Sequence, residues 1–204
     1  MGVFLDENLS WKKHITYIEN KIAKNIGLLY KAKLYLSKSA LLTLYYAYIH
    51  SYISYANVAW GSTNITYLKK VNSLQKHAIR IVHNKNRYTH TKELYKENQI
   101  LNVYQMNIFH NLLFMHKVKT QTLPNIFLPK FKKSSHSYPT ASSKLNFVLP
   151  FHKSMKSQYR ISIRGPKLWN NLLTKPEKEI ENLLIFKSKI KSKLMEKDNE
   201  TTFF

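Results

Sequence analysis

The sequence predicts a mainly α fold: a helical bundle, then a basic loop region, then a small C-terminal segment with one or two short strands and a final helix. Three observations carry this. Apolar residues recur at helical spacing through the first half, only four glycines punctuate the chain, and all six prolines lie beyond Leu123. At 204 residues with 44% hydrophobic content, the chain can fill the core of one large or two small domains.

The first helix is expected from Ser10 to about Leu36, because Trp11, Ile15, Ile18, Ile22, Ile26 and Leu29 recur at three- and four-residue steps and Ser10 is placed to cap the first turn. The second, from about Ser39 to Trp60, carries Leu41, Leu42, Leu44, Tyr45, Tyr48, Ile49, Tyr52, Ile53 and Tyr55. It is apolar or aromatic almost all round, which predicts a place at the bundle's centre. Gly61 offers a stop and Asn64 a cap for a third helix whose inner side is Leu68, Val71, Leu74, Gln75, Ala78, Ile81 and Val82. On its other side Lys69, Ser73, Lys76, Arg80 and His83 share one arc, with Lys70 and His77 at the rim.

A short helix over Thr91 to Glu97 and a longer one over Val103 to Lys119 follow, the latter with Ile108, Leu112, Met115, Phe109 and Leu113 at core spacing. From Leu123 to about Gln158 the chain turns to Pro, Ser and Lys, including Lys130, Lys132, Lys133, Ser134 and Ser135, and reads as a basic loop. Alternation in Tyr159 to Arg164 suggests a short strand. Gly165 and Pro166 then start a helical turn bearing Trp169, and a last helix runs from about Ile180 to Leu194.

Charge is one-sided, with 33 Lys and Arg against 11 Asp and Glu, a net +22. No acidic residue occurs between Glu19 and Glu93, or between Glu97 and Glu177. A solvated face ordinarily mixes both signs, so nucleic acid is the expected partner. The candidate contacts are Lys69, Lys70, Lys76 and Arg80 on the third helix, Lys130, Lys132 and Lys133 in the loop, and Arg164.

Cysteine is absent, which excludes disulfides and thiolate metal sites. Two charge-free stretches, Ser39 to Leu68 and Asn98 to His116, hold too many polar side chains for lipid, and the opening residues, with Asp6 and Glu7, do not read as a secretory signal. A soluble chain with no membrane partner is the expectation. The two aspartates, Asp6 and Asp198, stand at opposite ends, so no local pair exists to clamp two metal ions. There is no phosphate-binding glycine loop, no histidine pair at helical metal spacing and no nucleophile elbow. His14, His50, His110 and His116 are expected as polar groups at core edges, and Trp60 and Trp169 as core residues rather than base-stacking platforms.

Several fragments share an order with one family. They are Gly2-Val3-Phe4-Leu5-Asp6 and Leu9 to Ile15, Lys21 to Leu29, Leu44-Tyr45-Tyr46 through Tyr52 and Tyr55, Trp60-Gly61, and Leu74 to Ile81. Then follow His90-Thr91, Phe114 to Lys117, Leu123-Pro124 and Ser162 to Asn170. Together they resemble the reverse transcriptases of non-LTR, LINE-type retrotransposons of the jockey and CR1 kind, in the region just after the polymerase palm. Ser51, His77 and His116 depart from the family's common proline, arginine and tyrosine.

The resemblance implies that 1–9 is a remnant of the last palm strand, 10–122 a helical thumb-like bundle, 123–158 a Pro/Ser/Lys-rich loop region and 159–204 a small C-terminal α/β segment. It further implies an RNA-directed DNA polymerase ancestor whose aspartate pair lies upstream of Gly2. The expected function is therefore a template-primer grip on RNA or DNA, inactive by itself and without a cofactor of its own, magnesium belonging to the complete polymerase. An upstream palm and fingers domain is an expected partner, in a nuclear or cytoplasmic ribonucleoprotein. The alternatives are a decayed relic with no activity and an incomplete gene model of an active enzyme.

Overall fold

A computed structural model of the chain describes residues 2–134, 145–151 and 154–196. The expected positions Ser135 and Asp198, with parts of the loop region and the C-terminal segment, lie outside the described residues. The fold is mainly α-helical, and its compact units divide at Met106 and Asn107, inside one helix rather than at the proline-rich boundary near Leu123.

In the first unit, α1 (Lys12–Ala32) buries His14, Ile15, Ile18, Ile22, Ile26 and Leu29. It starts later than the sequence suggests, because the Asp6 carboxylate accepts both the Ser10 N–H at 2.8 Å and the Ser10 hydroxyl at 3.1 Å, and Trp11 takes a left-handed conformation. Residues 2–9 form no strand; a strand needs a neighbour to pair with, and none is present among the described residues.

The expected second helix is broken into α2 (Lys38–Tyr45), a π turn (Tyr46–His50), α3 (Ser51–Ser54) and α4 (Asn57–Trp60). Its buried residues include Leu41, Tyr45, Ile49 and Ile53, a strict four-residue repeat. At about 100° per residue such a stripe drifts about 40° per step in an α-helix, and the wider π turn takes up part of that drift. Burial is one-sided, since Tyr46, Tyr48 and Tyr55 are exposed, so this segment is not the all-round buried centre its composition suggests. Phenolic hydroxyls let those rings face water.

Helix α5 (Ile65–Val82) starts as expected, the Asn64 side chain accepting the Thr66 N–H at 2.9 Å, and packs against α1. After α6 (Lys92–Glu97), α7 (Val103–Lys119) opens with a reciprocal cap. Asn102 Oδ1 accepts from the Tyr104 and Gln105 N–H groups, and Gln105 Oε1 accepts the Asn102 N–H. Gln75 of α5, fully buried, donates to Tyr45 Oη and the Leu101 carbonyl, both at 3.0 Å, and accepts the Val103 N–H at 2.9 Å.

In the second unit, the later part of α7 packs with α8 (Ile161–Leu172), α9 (Lys175–Glu179) and α10 (Leu183–Glu196). His116 bonds the Ile180 carbonyl and its ring lies 4.4 Å from that of Phe186. A Cβ on Gly165 would stand 2.7 Å from Met115 Sδ, so glycine admits the close approach of α7 and α8. These contacts explain why the unit boundary falls inside α7.

The expected strand over Tyr159 to Arg164 is instead a 3₁₀ turn (Met155–Tyr159) leading into α8, which runs on through Gly165 and Pro166. Burial of Ile163, Leu168, Trp169 and Leu172 along a helix outweighs a short alternation that has no partner strand. The described part of the C-terminal segment, up to Glu196, is thus helical, not α/β; among the described residues the β structure is one antiparallel bridge, Lys133 with Phe147. The last helix starts at Leu183 rather than Ile180, with Asn182 Oδ1 accepting the Leu184 N–H at 2.9 Å. Trp60 and Trp169 are fully buried, as expected.

Gln75→Ala should orphan three buried groups at once and destabilise the first unit by about 3 kcal/mol. Urea unfolding followed by circular dichroism measures this, and a loss below about 1 kcal/mol would contradict the hub.

Candidate nucleic-acid interface

Because the apolar side of α5 is buried, its polar side faces water: Lys69, Lys70, Ser73 and His77 are exposed, and Lys76 and Arg80 are half-buried. Four of the sequence-selected cations thus share one face. Lys70 Nζ stands 4.0 Å from Glu19 on α1, a weak pairing in which the lysine stays largely solvated. Arg80 is anchored, its Nε donating to the Thr89 carbonyl at 2.8 Å.

His83 leaves the arc. Its side chain is only 3% exposed, with Nδ1 3.4 Å from Glu97 and Nε2 against the Asn98 amide. Burial, then the charge of Lys38, lowers its pKa against the opposing pull of Glu97. The end of α6 covers this end of α5, which the wheel of α5 alone does not reveal.

His77 is also held below its ordinary pKa, by partial burial and then by the charges of Arg80 and Arg87. Arg87, in the segment after α5, therefore belongs to the same positive surface. Sequence reasoning passed it over, although Lys85-Asn86-Arg87 places a turn-forming asparagine between two cations.

In the second unit Lys130, Lys132 and Lys133 are exposed, the first on a 3₁₀ turn (Leu128–Lys130) and the others on the bridged segment. That segment is fixed by Ser134 N–H to the Asn146 carbonyl and Val148 N–H to the Lys132 carbonyl, both 2.9 Å.

Arg164 is misassigned as a surface contact. It is 6% exposed on the inner side of α8, and burial lowers its pKa to about 10. A phosphate cannot reach it without opening the unit. Its position inside an expected strand concealed this, since the helical register turns it inward. Lys178 is likewise internal, donating to Asn146 Oδ1 at 2.8 Å and the Asn170 carbonyl at 3.2 Å.

Among the described residues, no three His, Asp or Glu side chains gather in a way that could hold a metal ion, and no helix is long and apolar enough to cross a membrane. The chain matches no protein family, no curated protein and no solved structure among those compared.

Replacing Lys132 and Lys133 together by Gln should lower the salt concentration at which the chain elutes from heparin. Arg164→Ala should leave elution unchanged and cost about 2 kcal/mol of stability through lost packing. Earlier elution of Arg164→Ala with an unaltered melt would return Arg164 to the surface.

Proposed function

We propose that the chain binds nucleic-acid backbone, and that it serves as the template-primer grip of a reverse transcriptase of the non-LTR retrotransposon kind. The observation that carries the binding is the face of α5. Lys69, Lys70, Lys76 and Arg80 lie together there, exposed or half-buried, and Lys70 stands 4.0 Å from Glu19. Lys130, Lys132 and Lys133 supply a second cationic segment in the other unit. The polymerase context rests on the ordered sequence fragments alone.

Such binding is electrostatic and tolerant of sequence, because lysines that reach phosphates release counterions whatever the bases are. Magnesium is assigned in this proposal to the complete polymerase; among the described residues no three carboxylate or imidazole side chains gather as a metal site. The proposed role of this chain is to hold and orient the nucleic acid.

The triple variant Lys69→Gln, Lys70→Gln, Lys76→Gln should lower the slope of log affinity against log salt for duplex DNA by about two to three. Fluorescence anisotropy over a salt series, with an RNA–DNA hybrid in parallel, makes the measurement. A slope equal to that of the unaltered chain would remove the α5 face from the interface.

A further inference from the structure

The segment between α5 and α6 holds a feature that phosphate binding by α5 does not use. After Asn84, which is left-handed with φ of 49°, the Lys85 N–H returns to the Arg80 carbonyl at 2.8 Å. Asn86 then closes a turn: its Oδ1 accepts the Tyr88 N–H at 3.3 Å and its carbonyl accepts the Thr89 N–H at 3.1 Å. Arg80 Nε closes the far side on the Thr89 carbonyl at 2.8 Å. Four hydrogen bonds therefore fix the backbone of an exposed turn.

At its tip stands Tyr88, 83% exposed, beside exposed Lys85 and Arg87. A ring so exposed gains almost nothing from the fold, while the fixed backbone leaves little main-chain entropy to lose when a ligand arrives. Arg80 and Arg87 are each close enough to His77 to act on it electrically. The nearby carboxylate of Glu97 is already committed to Lys38 and His83.

An aromatic face among cations suits a nucleotide whose base is unpaired: the base stacks on the ring and the flanking phosphate meets the guanidinium. A duplex offers the phosphates but not the base face. A lipid surface is the poorer fit, because Tyr88 has only Lys85, Asn86, Arg87, Thr89 and His90 about it in the turn and no apolar area to insert.

We propose that the α5–α6 turn is a binding site for single-stranded nucleic acid, in which Tyr88 stacks on an unpaired base and Arg87 and Lys85 hold the adjoining phosphates. This rests on the reading of the chain as a nucleic-acid binder and names a distinct substrate for one part of it, a template ahead of or beside the duplex.

The test uses the full chain, a short single strand containing 2-aminopurine, and the corresponding duplex. Binding of the strand should quench the 2-aminopurine. Tyr88→Ala should abolish the quench and weaken single-strand binding about tenfold while duplex binding is unchanged. Tyr88→Phe should behave as the unaltered chain, and Arg87→Gln should lower the single-strand salt slope by about 0.7. Matching circular dichroism of all variants excludes loss of fold, the substituted side chains being exposed.

If Tyr88→Ala binds and quenches the single strand as the unaltered chain does, the stacking site is overturned, and intact duplex binding would leave the α5 interface standing. If the unaltered chain binds neither strand nor duplex, both proposals fall. Binding to vesicles of acidic phospholipid that Tyr88→Ala abolishes, with oligonucleotide binding untouched, would also overturn the site.

Discussion

A glutamine side chain with no access to water must find hydrogen-bond partners inside the protein, and Gln75 finds three, on α2, on α7 and on the connection before α7: Tyr45 Oη, the Val103 N–H and the Leu101 carbonyl. Leaving any of them unmade costs more than the bond itself contributes. The rotation of α5 about its own axis is thereby fixed. With Gln75 inward, about 100° per residue places Lys69 about 120° away, Lys70 and Arg80 about 140° and Ser73 about 160°. The cationic display is thus a consequence of where one amide is held.

The net charge of +22 overstates what the surface offers. Arg164 and Lys178 are internal, and Lys193 pairs with Glu177, which is itself buried. Burial alone would raise the Glu177 pKa, but Lys193 and the backbone and hydroxyl of Thr174 outweigh it, and the net shift is downward from 4.5. A carboxylate lowered on folding stabilises above its unfolded pKa and loses that contribution as pH falls through its folded value. Part of the basic composition therefore serves the architecture of the second unit, and the acid stability of that unit depends on the same clasp.

Helix α5 was legible almost to the residue, because its apolar period and the cap at Asn64 point the same way; the bounds of α7 were legible too, but not that it is buried nearly all round, Asn107 and Asn111 included. The segment from Lys38 to Trp60 was not, since its tyrosines score as apolar while their hydroxyls tolerate water, and nothing in the periodicity announces a π turn. Helix α9 was readable but overlooked: Thr174, Pro176 and Glu177 spell a capping box with proline in the first turn. Of the candidate site, the α5 lysines follow from the wheel, whereas Arg164 was lost with the wrong strand assignment. His83 was lost because burial at a helix end is decided by the element that follows. The sequence resemblance shaped the expectation of a palm-strand remnant at 1–9, and the helical bundle does not depend on that strand.

A linear array and a compact cluster of cations select different anions. Along α5, at about 1.5 Å per residue, Lys69, Lys76 and Arg80 span about 16 Å. One strand of a duplex presents a phosphate about every 3.4 Å of axis, so that span covers about five phosphates. A single phosphate or nucleotide would engage one lysine and leave the others solvated, gaining little over any exposed charge pair. Only a polyanion of comparable length engages the row, and the entropy released with its counterions grows with each contact. For the backbone binding proposed above, the geometry of the helix, more than the number of lysines, suits this face to an extended polyanion rather than a small anion.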